Sequence, residues 1–347
     1  MKLKEILEIC YGKNQREVEV DFSSIPILGT GGIIGYASRP LYDGESVLIG
    51  RKGTIGMPFY INKPFWTIDT LFYTKINKSI VLPKYLYYCL MTIGLERYSE
   101  GAAVPSLTTK TLYDIEIDVP SMEIQQHIVN TIGSIDDLIE KYQAQINKIC
   151  SLLELSLSQY GREVEIEHYH PKIIKSGITK FKGSKEYIDT SSIEGVNNLL
   201  NGETITFDKR PSRANMEPLP NSVWFAKMKD SKKKLILTEE DTDIIESNIL
   251  STGFQGIEAT KEFPLSLIAT IVISDNFDTQ RDINSVGTTM AGINNETFLK
   301  IKVPLLSSEE IKEYDSKYAK FIGLLSLKRK QINKLKSVKQ QLLQKYF

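Results

Sequence analysis

The sequence predicts two mixed α/β domains built on one plan, with two long helices that bury apolar stripes against each other. Three observations predict this: short motifs recur at about half the chain length, each half ends in a heptad seam, and turn-punctuated strands precede each seam. At roughly 150 residues per domain, a chain of 347 has room for two cores. The repeat is the first clue. Gly101-Ala102-Ala103-Val104 is matched loosely by Gly287-Thr288-Thr289-Met290, and Gln145-Ile146-Asn147 returns as Gln331-Ile332-Asn333, both 186 residues on. Between them Ile117-Asp118-Val119-Pro120 answers Ile301-Lys302-Val303-Pro304 in the same order. Solenoid arrays repeat every 20–50 residues in three or more copies, so two long copies mean two domains related by pseudo-symmetry.

In the first copy, Ile25–Leu28, Ser46–Ile49 and Leu71–Thr74 read as strands separated by Gly, Pro and Asp turns. Pro83–Ile93 reads as an amphipathic helix with Pro at its first position, where the missing N–H costs nothing. The first seam follows as Ile128, Ile132, Ile135, Ile139, Tyr142, Ile146, Ile149 and Leu153, spaced 4,3,4,3 for over three heptads. A helix over 128–160 spans roughly 50 Å at 1.5 Å per residue, too long for one domain to cover, so its stripe is expected to meet the matching helix. The second copy places strands near Lys185–Ile188, Ser222–Ala226 and Leu267–Ile273, with Ser222-Val223 standing where Ser46-Val47 stood. Its seam runs Tyr314, Tyr318, Phe321, Leu325, Ile332, Leu335, Leu342 and Tyr346, with Lys328 and Lys339 in the places of Tyr142 and Leu153. The expected boundaries are 1–120 and 162–304 for the domains, and 121–161 and 305–347 for the helices.

Composition removes several function classes. Charged residues are 25% and hydrophobic residues 41%, an ordinary globular mixture. Cys10, Cys89 and Cys150 form no CxxC pair, so neither a disulfide framework nor a zinc ribbon is expected, and a reducing, cytoplasmic setting is. No stretch approaches 18 uninterrupted apolar residues, so no membrane partner is expected. Lys+Arg and Asp+Glu both total 43, which excludes binding nucleic acid through bulk charge. Local charge is another matter: Lys172, Lys175, Lys180, Lys182 and Lys185, then Lys209, Arg210 and Arg213, then Lys227, Lys229 and Lys232 to Lys234 form basic clusters. Glu239, Glu240, Asp241, Asp243 and Glu246 form an opposing acidic block, the separation expected if one face meets phosphates.

Motifs for catalysis are missing. Leu28-Gly29-Thr30-Gly31-Gly32-Ile33-Ile34-Gly35 is glycine-rich, but a phosphate cradle needs a helix to begin right after the glycines, and Tyr36-Ala37-Ser38-Arg39-Pro40 supplies a turn. Gly50-Arg51-Lys52-Gly53-Thr54-Ile55-Gly56 lacks the Gly-Lys-Ser/Thr ending of a P-loop. Both runs suit tight hairpin turns. His168 and His170 share a spacing that fits one face of a strand, yet no Cys or carboxylate completes a metal set, and a surface pair is expected. Gly-x-Ser-x-Gly and HExxH are both absent.

Three features together carry a family resemblance. They are Ile25 to Tyr36 followed by Val47 to Gly56, Gly101 to Leu107 leading into Val119-Pro120, and the Gln125-Gln126 helix with Ile135-Asp136-Asp137-Leu138-Ile139. In this order, and duplicated, they resemble the DNA-specificity subunit of type I restriction-modification systems over nearly the whole chain. The resemblance implies two target-recognition domains, each reading half of a split double-stranded DNA target, joined by two long antiparallel helices. It implies that those helices set the unread spacer and dock two methylation subunits, with restriction subunits joining through the complex. It implies no catalysis and no cofactor on this chain, with S-adenosylmethionine on the methylation subunit. Arg39, Arg51, Lys52 and Thr54 in the first domain, and Lys182, Arg210, Arg213 and Lys227 in the second, are the expected DNA contacts. The second copy departs from the pattern where Ala291 and Gly292 replace Pro105 and Ser106. A fused restriction or methylation enzyme is the rival, but adenine methylation there uses Asn/Asp-Pro-Pro-Tyr, and no Pro-Pro dipeptide occurs. A coiled-coil adaptor without DNA is the third reading.

Overall fold

The computed structural model describes residues 1–100, 106–200, 202–287 and 291–347; the repeat anchors Gly101–Val104 and Thr288–Met290 lie outside them. The chain divides into two compact units, Met1–Asp137 with Lys336–Phe347, and Leu138–Leu335. Helix Met122–Leu157 and helix Ser308–Tyr346, here the central and C-terminal helices, each run through both units.

The first unit has two four-stranded sheets. One runs Leu7–Tyr11, Leu71–Ile76, Ser46–Gly50, Phe59–Ile61, with antiparallel neighbours throughout. The other runs Glu19–Val20, Gly32–Ala37, Ile25–Gly29, Trp66–Thr67, and its last pairing is parallel. The expected strands are therefore all present. The glycine-rich run is a hairpin with Gly29 paired to Gly32 and Thr30-Gly31 at the tip; Gly32 sits at φ 109°, which only glycine takes readily. Strand Ser46–Gly50 is buried on both faces, because Val47 and Ile49 point to helix Pro83–Ile93 while Leu48 points to the opposite cluster with Phe65 and Leu71. Ile128 and Ile132 of the central helix and Leu343 of the C-terminal helix complete the first of those cores.

The second unit repeats the plan. Its main sheet runs Lys172–Ile173, Phe254–Glu258, Ser222–Ala226, Lys234–Leu237, again antiparallel, so Ser222–Ala226 occupies the place of Ser46–Gly50. Val223 and Phe225 face the helix side, and Trp224 and Ala226 face the other. In the second sheet Glu203–Thr206, Ser184–Ile188 and Asn248–Ser251 pair antiparallel and then parallel, as Gly32–Ala37, Ile25–Gly29 and Trp66–Thr67 do. The copies differ at the edges: Glu19–Val20 extends one sheet, and Ala214–Met216 extends the opposite edge of the other.

One expected strand is a helix. Leu267–Ile273 lies within helix Leu265–Ile273, buried from Ser266 onward and facing the sheet as Pro83–Ile93 does. A short apolar run rich in β-branched residues has no polar stripe to reveal its period. Thr270 resolves the conflict locally by donating from its hydroxyl to Ser266 O at 2.8 Å.

The seams meet antiparallel. Lys328 lies over the Tyr142 ring at 4.3 Å, and fourteen residues further along the central helix Ser156 hydrogen-bonds the Tyr314 hydroxyl at 2.6 Å, fourteen residues earlier in the C-terminal helix. Ile146, Ile149, Leu325 and Ile332 are buried in the second unit's core with Ile139, Tyr142, Tyr318 and Phe321 packed against it; Leu335 is half-buried. Ile135 is buried as well.

Candidate nucleic-acid interface

In the first unit, the strand Ser46–Gly50 ends on Arg51, and the chain turns back at once. A side-chain carbon on Gly50 would sit 2.3 Å from Thr54 O, so only glycine permits the turn that presents Arg51, Lys52 and Thr54 together. Backbone N–H groups of Arg51 and Lys52 donate to Thr70 O, at 2.8 and 3.3 Å. The Arg51 guanidinium donates from Nη1 to Asp69 O at 3.1 Å and lies 5.2 Å from the centre of the Tyr11 ring. Lys52 and Thr54 are exposed. This loop also adjoins the hairpin tip, with Thr30 Oγ1 3.4 Å from where a Gly53 side-chain carbon would sit. Arg39 is not part of this group. It is exposed just beyond the far end of strand Gly32–Ala37, where Ser38 N–H donates to Val18 O at 2.7 Å.

In the second unit, Arg213 and Lys227 flank one turn: Thr252 N–H donates to Arg213 O at 2.8 Å, and Lys227 N–H donates to Gly253 O at 2.9 Å. Burial, and then the positive charge of Arg213, hold the Lys227 ammonium below the usual lysine range. Arg210 stacks its guanidinium on the Phe207 ring at 4.0 Å and donates to Phe207 O. Lys182 is exposed beside Phe181, whose ring meets Phe207 edge-on at 5.7 Å. Lys180 lies over Phe207 and Lys185 over Phe181, at 5.8 and 5.5 Å. The basic clusters drew attention to the cations, but not to the aromatic pair beneath them. Phe181 is four residues from Lys185 and Phe207 three from Arg210, so interleaving of aromatic and basic residues was the available signal.

Two charge readings need correction. Lys234 is buried, not a loop cation, donating to Asp278 at 2.9 Å and to Ile273 O at 3.1 Å. Asp241, counted in the acidic block, is fully buried and paired with Arg329 of the C-terminal helix. Both are unavailable to any surface field, and they hold the second unit together. His168 and His170 are exposed around a 3₁₀ turn, Ile166–Tyr169, in place of the strand their spacing fitted. Among the described residues no group of three or more His, Cys, Asp or Glu could hold a metal ion, and no helix is long and apolar enough to cross a membrane.

Residues 1–150 match the family model for the type I restriction modification DNA specificity domain. The chain is 34% identical over 124 residues to the type I restriction enzyme MjaIX specificity subunit of Methanocaldococcus jannaschii, covering 35% of this chain and 28% of that one. It is 28% identical over 114 residues to the EcoprrI specificity subunit of Escherichia coli, covering 33% and 28%. The matched segments thus span little more than a quarter of each relative. The crystal structure of a type I restriction-modification S subunit from M. genitalium superposes over all of this chain and 95% of its own, with a TM-score of 0.53 at 14% identity, which establishes a shared fold. Residues 1–150 are thus similar to the type I restriction modification DNA specificity domain, and the whole chain shares the fold of that S subunit.

Proposed function

We propose that this chain reads a split double-stranded DNA target, one half with each unit, and directs a methylation subunit to it. The carrying observation is that one sheet frame occurs twice with different outer elements. An extra strand lies on opposite edges in the two units, and the Phe181–Phe207 platform with Arg210 belongs to the second. One frame with different readers suits two unlike half-sites. Loop cations set the register on phosphates, while Arg, Asn, Gln and Thr side chains reach base edges.

The long helices are the proposed dock for two methylation subunits, with restriction subunits joining through that complex. Leu138, Leu152, Leu155, Leu324 and Leu327 are exposed along them, and Leu155 is 68% exposed. Apolar side chains left in water along one helix pair suit burial by a partner. S-adenosylmethionine then belongs to the methylation subunit, and this chain contributes specificity without catalysis.

Co-expression with a methylation subunit followed by mapping of modified sites is expected to give a split target with an unread spacer. The purified chain alone, incubated with duplex and labelled S-adenosylmethionine, is expected to transfer nothing. A continuous target, or transfer by the chain alone, would overturn the reading.

A further inference from the structure

Arg51 and Lys227 stand at the same point of the two frames. Each directly follows the doubly buried central strand, Ser46–Gly50 or Ser222–Ala226. The carbonyl of Arg51 accepts the N–H of Leu107 at 3.0 Å, and the carbonyl of Lys227 accepts the N–H of Ile293 at 3.0 Å. The next residues, Lys52 and Met228, bridge antiparallel to Ser106 and Gly292. Those two in turn bridge to Glu100 and Val286. Four successive equivalences fix the correspondence, although the residues around the two cations differ.

Among the described residues, neither side chain has a carboxylate partner. Arg51 spends one N–H on a carbonyl and lies near an aromatic ring, which leaves its charge unneutralised. Lys227 is half-buried, and its charged neighbour is another cation, Arg213. A cation held at a protein surface without an ion pair to a carboxylate is suited to an incoming anion. Two readers of unlike half-sites have different bases before them, so a contact made from a shared position must go to what both half-sites share. That is the phosphate backbone, which carries no sequence information.

We propose that Arg51 and Lys227 are matched phosphate anchors, one per unit, that set register without discriminating bases. Discrimination then falls to the elements without a counterpart, such as the Phe207–Arg210 stack of the second unit. The inference rests on the DNA-reading function proposed above.

A random-sequence duplex of about 30 base pairs is a sufficient probe, because a phosphate contact does not need the target. Affinity of the full chain is measured across a salt series. Arg51→Gln and Lys227→Gln are each expected to flatten the slope of log affinity against log salt by about 0.9, and the double variant by about 1.8. Arg51→Lys and Lys227→Arg, which keep the charge, retain the slope. Once the target has been mapped, the ratio of target to random affinity stays unchanged in every variant. An unchanged slope in either glutamine variant, or a relaxed preference at one base pair, overturns the anchor assignment while leaving DNA reading intact. Flat affinity of the unaltered chain across salt instead overturns DNA reading itself. Denaturation midpoints are taken on the same samples, and if Arg51→Gln does not fold, Lys227→Gln carries the test.

Discussion

Gln125 is wholly buried, and both ends of its amide are committed to backbone. Leu82 N–H donates to its Oε1 at 2.8 Å, and its Nε2 donates to Ile80 O at 3.0 Å and Pro120 O at 2.9 Å. One side chain therefore ties the segment before helix Pro83–Ile93 to the start of the central helix. In the second copy the position 186 residues on is Ile311, also buried, so apolar packing replaces this polar tie. Gln125→Ala leaves a buried N–H and two carbonyls without partners, at about 1–3 kcal/mol for each group that water cannot reach. The expected loss is about 2–4 kcal/mol in the first unit, read as a lower denaturant midpoint with faster hydrogen exchange at the Leu82 amide. An unchanged midpoint would mean that water replaces the amide. The Gln125-Gln126 pair was conspicuous in the sequence as part of a motif, but its role was not legible. That role depends on Ile80 and Leu82, more than forty residues away, being folded against it.

Periodicity was legible where burial is one-sided or where a proline marks a boundary. Helix Pro83–Ile93, which opens on a proline, has the limits expected of it. Ser222–Ala226 is buried on both faces and was legible instead from the match of Ser222-Val223 to Ser46-Val47 in the first copy. Leu265–Ile273 was illegible because nearly all of it is buried and hydrophobicity no longer varies around the axis. The seam lysines also make sense only in three dimensions. Lys328 covers the Tyr142 ring, and Lys339 pairs with Asp136 at 2.6 Å, where the Tyr88 hydroxyl donates to the same carboxylate at 2.7 Å. The C-terminal helix is fixed to the second unit by the Arg329–Asp241 pair. Burial pushes the Asp241 carboxyl upward, but the Arg329 charge, the Ser326 hydroxyl and the Thr238 donors outweigh it and hold its pKa below the usual range. A depressed native pKa means that the unfolded chain binds the proton more readily. This contribution is therefore complete above the ordinary aspartate value near 4 and is lost as pH falls through the native value. Asp241→Asn strands a buried guanidinium and is expected to cost about 3–5 kcal/mol at neutral pH. Urea denaturation of both proteins over a pH series should show the gap between them narrowing in acid; a constant gap would assign the loss to packing alone.

Under the proposed reading of a split target, duplication makes the helices, rather than either reader alone, the determinant of how the two half-sites are spaced. The central and C-terminal helices are 36 and 39 residues long and pair antiparallel through a heptad seam, so seven residues added to one must be matched by seven facing them in the other. A matched insertion near Tyr142 and Lys328 preserves the a/d pattern on both helices. It lengthens the pair by about 10 Å at 1.5 Å per residue. At about 3.4 Å per base pair, that corresponds to about three more unread base pairs. Because added base pairs also rotate one half-site about the duplex axis, the measurement needs a library of spacer lengths, scored by methylation after co-expression with the methylation subunit. The preferred spacer is expected to lengthen while both half-site sequences stay the same, since no reader residue has changed. A preferred spacer identical to that of the unaltered chain would defeat the idea that helix length acts as the ruler, and altered half-sites would show that the readers depend on the seam for their own shape.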